Sequence, residues 1–371
     1  LRLLLAIALY SNEHTPWSNA ALSTRANSAP DHIVKPLLPQ FIAYLQPRLL
    51  SASPKTTKGR NPRATRNKGL RPILGHATPT AELDKKRHAW KKSHDVSTLG
   101  SNCFWMRFDS LPESVSIMAA FTLNVVDDSH PAFRTQGCHL IRTLIDCGHF
   151  QLLKSLGFMD LFKDEIQTSF NYLPRLTRGG VSLQLMKAAY PALIKLLDEK
   201  MKHEETKTLA GSYLPYLEVL DSNVLGLVSH IQAHGEGASN LVLVYLLQFG
   251  KELVDTRIGA AVLACYSQLN YIMCRLITDP YVIDSENGPL VIEAALDLQK
   301  TTLEKVSETQ NGSCELILAY QYDFLAAWIV YFKRVLRYQV GTRRSHELLT
   351  INANLLKSLA EQNDSTRKTL Q

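Results

Sequence analysis

The sequence predicts an all-α chain in which antiparallel helix pairs stack into an α-solenoid. Three observations carry this. Leucine occurs 58 times in 371 residues, against only 18 Gly and 16 Pro. A Leu-rich, Gly-poor chain favours helices over sandwiches and barrels. Apolar residues recur at spacings of three and four along most of the chain, and no convincing period-two segment interrupts them. Helices joined by short turns then need partners for their apolar stripes, which stacking supplies.

The elements can be justified in order. Leu1 to Tyr10 is an apolar run that imitates a signal-peptide core but reads as the end of a core helix. The chain opens on Leu1, which is expected of a processed chain or a piece of a longer one. Residues 31–50 place Ile33, Leu37, Leu38, Phe41, Leu45 and Leu49 on one stripe. Ser114 to Val126 is the next helix. Pro131 to Ile145 follows, with Phe133, Gly137, Leu140, Ile141, Leu144 and Ile145 on one face. Leu183, Met186, Tyr190, Leu193 and Leu197 step by 3, 4, 3, 4. Leu241 to Leu247 is compatible with a buried strand, but its helical neighbours favour a helix. Val262, Tyr266, Leu269, Met273 and Leu276 repeat the helical spacing, as do Ile317, Tyr320, Phe324, Ala327, Tyr331 and Val335.

Residues 51–92 stand apart. They hold twelve Lys or Arg and two acids, and Pro54, Pro62, Pro72 and Pro79 interrupt any regular structure. Such a segment cannot bury enough apolar surface to offset its ordering entropy, so it reads as a disordered basic linker or loop. The organisation expected is therefore N-terminal helices over 1–50, the linker over 51–92, and a helical body over 93–371. The net charge of +7 resolves accordingly. The segment contributes 12 − 2 = +10, and the remaining residues 29 − 32 = −3. The alternative to a solvated linker is a nucleic-acid-binding arm, but its single aromatic, Trp90, supports base stacking poorly.

Chemistry is sparse. No GxxxxGK[ST] loop or GxSxG elbow occurs. Gly235-Glu236-Gly237 lacks a third glycine, and His203-Glu204 lacks the second His of a zinc-protease helix, since Lys207 stands there. Cys138, His139, Cys147 and His149 are the best metal cluster, yet Cys138 and His139 are adjacent and point about 100° apart on a helix. Six cysteines spread through apolar helices read as free thiols of a reducing compartment. Leu316 to Phe332 is the most span-like stretch, but Gln321 and Asp323 sit near its centre, so it reads as a helix buried in protein. No cofactor, metal, membrane or catalytic residue is expected.

The turn between the helices at 114–126 and 131–145 carries the strongest local signal. Asp128 or Ser129 is placed to cap the second helix, Pro131 suits its first turn, and Gly137 lets two helices approach closely. Asp127, Asp128, Pro131, Arg134 and Gly137 thus form a structural turn that resembles that of HEAT and armadillo-like repeats. Trp90, Trp105 and Trp328 read as packing anchors. With Tyr190 they are also the candidate contacts for a protein partner, and the aromatic stripe over 320–338 reads as core or partner surface.

Leu123-Asn124-Val125-Val126-Asp127-Asp128, followed by Gly137-Cys138-His139-Leu140-Ile141, resembles the double-Asp turn of the Tel-two-interacting protein two family. Leu156-Gly157-Phe158, Leu173-Pro174-Arg175-Leu176-Thr177, Ser182, Leu183 and Ala188-Ala189-Tyr190-Pro191-Ala192-Leu193 strengthen the likeness. Trp90-Lys91 and Trp105 look similar to fungal members, so the matching motifs cover about 90–197. The resemblance implies a non-enzymatic scaffold without catalytic residues. It implies a place in the TTT complex with two larger helical-repeat subunits, working in cytoplasm and nucleus as a co-chaperone adaptor for the Hsp ninety machinery. The clients it implies are phosphatidylinositol-3-kinase-related kinases, among them the TOR and DNA-damage checkpoint kinases.

Overall fold

The structure is a computed structural model. It describes residues 2–11, 13, 18–30, 32–37, 39–40, 43–44, 112–203, 209–231, 237–308 and 314–370. The basic segment 51–92 with Trp90, and Trp105, lie outside those residues, as does most of the stripe expected over 31–50. Among the described residues there is no strand, only an isolated bridge between Pro174 and Thr177. The described residues are all-α, as the leucine content and spacing predict. Its contacts divide it into two units, Leu1–Ser169 with Ala188–Glu199, and Phe170–Lys187 with Lys200–Gln371. This division falls inside the 93–371 body.

The first unit holds α1 (Arg2–Tyr10), α2 (Ala20–Asn27), α3 (Pro112–Val126), α4 (Pro131–Asp146), α5 (Phe150–Ser155) and α6 (Phe158–Ser169). It also takes residues 188–199 of α7 (Gly179–His203). Asn27 and Ser23 donate to the Ser11 carbonyl and tie α2 to the end of α1. The α3–α4 pair forms the hairpin that the sequence places there, and α5 and α6 pack on α3. Its core includes Met118, Phe121, Leu140, Leu144, Phe162 and Ile166. On α4 the expected face is buried except at Phe133, which is half-buried. Arg134 is buried instead.

In the second unit, α13 (Gly288–Ser307) is the central helix. It packs against α10 (Gly237–Leu253), α11 (Tyr266–Thr278), α12 (Pro280–Asp284) and α16 (Arg343–Leu370). A central helix must be apolar around most of its circumference, and Val291, Ile292, Ala295, Leu296, Leu298, Leu303 and Val306 supply that. Several of its polar groups find partners on neighbouring helices. Lys251 pairs with Asp297 at 2.6 Å, and Asn352 donates to the Leu296 carbonyl at 3.0 Å. The unit also holds α8 (Leu209–Glu218), α9 (Gly226–His230), α14 (Cys314–Ala319) and α15 (Gln321–Tyr338).

Two departures from the expected helices have local causes. The stripe from Val262 is fully buried, but the α-helix starts only at Tyr266. Residues Val254–Ile258 are wider π turns and Gly259–Cys265 a tighter 3-10 stretch. Gly259 sits between them at φ 57°, a conformation that glycine adopts without steric cost. Apolar spacing does not register these changes of helix type. The stretch 316–332 is likewise broken at Tyr320. It also differs from the expectation of a buried helix, because α15 exposes one apolar side.

By length and composition, the run Gly237–Thr278 is apolar enough to cross a membrane, and 44% of its most apolar window is buried inside the protein. Its straight part, α10, has 17 residues. At about 1.5 Å per residue it falls short of a hydrocarbon core of about 30 Å. Its inner face packs on α13, as a core helix does.

Candidate functional site

The first candidate is the α3–α4 turn. The N-cap of α4 is His130, not Asp128 or Ser129. Its Nδ1 accepts from the Ala132 N–H at 3.3 Å, and Pro131 takes the first helical position. Asp128 acts one step earlier, its carboxylate accepting the His130 N–H at 2.8 Å. The reason is chain geometry. An Asx-type turn ahead of Pro131 moves the cap two residues on, to the residue with extended backbone. Asp127 is exposed.

Arg134 is the centre of this site. It is 5% exposed. Its Nε donates to the Asp128 carbonyl at 2.9 Å. Its Nη1 meets the Glu165 carbonyl at 3.2 Å and the Thr168 and Ser169 hydroxyls at 2.9 Å each. Its Nη2 pairs with the Glu165 carboxylate at 3.6 Å. The guanidinium therefore joins the turn to α6, with Nε and Nη1 donating to protein acceptors. A buried cation held this way organises packing and offers nothing to a substrate.

Gly137 lies against the end of α3. A Cβ there would stand 2.5 Å from the Val126 Cα and 2.6 Å from its nitrogen. The obstacle is backbone, so Gly137→Ala must push the helices apart. A loss of about 1–3 kcal/mol is expected, read as a lower urea midpoint with an unchanged slope.

Next to Arg134 is Cys138, fully buried. Burial pushes its thiol up to about 12, while the Arg134 charge and a Ser169 hydrogen bond pull the other way. Burial likewise raises Cys265 and Cys274 to about 12. A thiol held neutral is neither a nucleophile nor a ready metal ligand. Among the described residues, no three His, Cys, Asp or Glu side chains converge on a metal position. Native Cys138 is therefore expected to resist iodoacetamide at pH 8 and to react on unfolding, as peptide mass spectrometry can read. Because the unfolded thiol ionises first, stability is expected to fall as pH rises through the window from about 9 to about 12.

In the second unit, α11 and α15 border a cleft of about 540 Å³, lined in part by Asn270, Tyr271, Cys274, Tyr320 and Asp323. Its thiol, Cys274, is the one that burial holds neutral. Arg334 of α15 donates to the Thr278 carbonyl and satisfies the C-terminus of α11.

The predicted partner contacts need correction. Tyr190 is fully buried. Trp328 is 6% exposed, and its indole N–H donates to the Gln299 side chain at 3.2 Å. Both are core residues, because each belongs to the inward stripe of its helix. The surface residues lie within the expected 320–338 stretch but on a second stripe, beside the one that spacing singles out. Tyr322, Leu325, Ile329, Phe332 and Leu336 step by 3, 4, 3, 4 along α15 and are 74, 41, 51, 45 and 64% exposed. The signal was present as a second apolar stripe, offset from Phe324, Ala327, Tyr331 and Val335. Leu176, beside Arg175 at φ 101°, is 86% exposed.

The described residues thus define an all-α protein with a polar network spent on its own packing and apolar side chains turned outward. Its sequence matches the model of the Tti2 family over residues 3–284, and the chain belongs to that family. No curated protein and no solved structure matches it. Helix α15 lies C-terminal to the matched span.

Proposed function

We propose that the chain is a non-enzymatic scaffold subunit of the TTT complex. Family membership over 3–284 carries this reading. The internal use of Arg134 and the exposed ridge of α15 support it. In this reading the helix pairs stack as a HEAT-like solenoid. The α3–α4 hairpin, with its buried arginine and close-approach glycine, is the repeating kind of joint. The scaffold binds the two larger helical-repeat subunits and acts with the Hsp ninety machinery, in cytoplasm and nucleus. Through them it supports maturation of phosphatidylinositol-3-kinase-related kinases, among them those of TOR signalling and the DNA-damage response. Acute depletion of the chain tests this. Steady-state levels of several such kinases are expected to fall together while their transcripts stay level. Unchanged kinase levels after complete depletion would contradict it.

A further inference from the structure

The outer ridge of α15 runs through Tyr322, Leu325, Ile329, Phe332 and Leu336, about four turns of helix. Spacing that alternates three and four is the pattern by which one helix receives another along its length. Phe332 also meets the His346 ring edge-on at 6.1 Å, which fixes its outward position.

The charge beside the ridge says what kind of helix fits. Lys333 follows Ile329 by four residues and precedes Leu336 by three, so it borders the ridge. Arg337 continues that edge one turn later. Both are exposed, and among the described residues no carboxylate pairs with either. Arg337 lies over the Tyr338 ring at 5.4 Å, which leaves its donors available. The nearest acid of the helix, Asp323, lines the α11 cleft instead. The chain's own segment 51–92, with twelve basic residues against two acids, has the wrong sign for this edge.

We infer that α15 is a docking site for an amphipathic helix of another protein, one whose apolar ridge is bordered by Asp or Glu. Apolar burial along the ridge holds the two helices together. The acids opposite Lys333 and Arg337 set register and direction.

A photo-crosslinking residue in place of Ile329, in the full chain expressed in its own cells, tests the inference. The same residue in place of exposed Lys357 is the control. Adducts from position 329 are expected on a segment of another protein with apolar residues at three and four and acids along one edge. They should fall at least fivefold in a K333E/R337E background. A synthetic peptide of that segment should bind the purified chain at least tenfold more tightly than its Glu→Lys counterpart. Any of four results would overturn the inference: adducts within this chain or a second copy of it, adducts on a segment without an acidic edge, labelling no higher than at position 357, or indifference to K333E/R337E. Circular dichroism of each variant confirms that the fold is kept.

Discussion

Arg134→Ala is expected to destabilise the first unit by about 3–5 kcal/mol, because it leaves the Glu165 carboxylate buried without its cation. It also removes the donors to the Asp128 carbonyl and the Thr168 and Ser169 hydroxyls. Denaturant unfolding of the purified chain measures the loss. The double variant R134M/E165L gives a sharper test. It removes both charges and keeps apolar volume, so it should lose less than Arg134→Ala alone. A double variant worse than the single one would mean that the pair does more than balance its own charges.

The second large effect separates two adjacent residues. Trp328→Ala should cost about 3–5 kcal/mol, since it empties a large buried site and strands the Gln299 side chain. Ile329→Glu should change stability by only about 0.5 kcal/mol, because it adds a charge on a face already in water. Thermal unfolding of the two variants side by side reads the contrast. Equal losses would mean that the outer face of α15 is covered within the protein itself.

The all-α character is legible in the sequence because helical periodicity is a local property. Met186, Tyr190, Leu193 and Leu197 on α7 are buried as their spacing predicts, with Leu183 at the start of that stripe only half-buried, and Val262, Tyr266, Leu269, Met273 and Leu276 are all buried. The α3–α4 turn is legible for the same reason, since Pro131 and Gly137 each act on atoms close in sequence. What spacing does not encode is helix type and outward direction. The π and 3-10 stretches over 254–265 keep the apolar rhythm while changing the backbone. On α15 two interleaved stripes have similar composition, and packing against α11, with bonds to Gln299 of α13 and Ser345 of α16, decides which faces inward. Aromatic content singles out Trp328, whereas exposure belongs to Ile329 and Phe332. Arg134 was legible as a turn residue, but its bonds to α6 span more than thirty positions and become visible only in the fold.

The most direct test of the scaffold reading is the native assembly state of the chain. Endogenous protein, purified under mild salt and analysed by size-exclusion chromatography with quantitative mass spectrometry, is predicted to co-elute with both larger helical-repeat subunits in fixed proportion. Elution of the chain alone, with neither subunit in the same fractions, would contradict it.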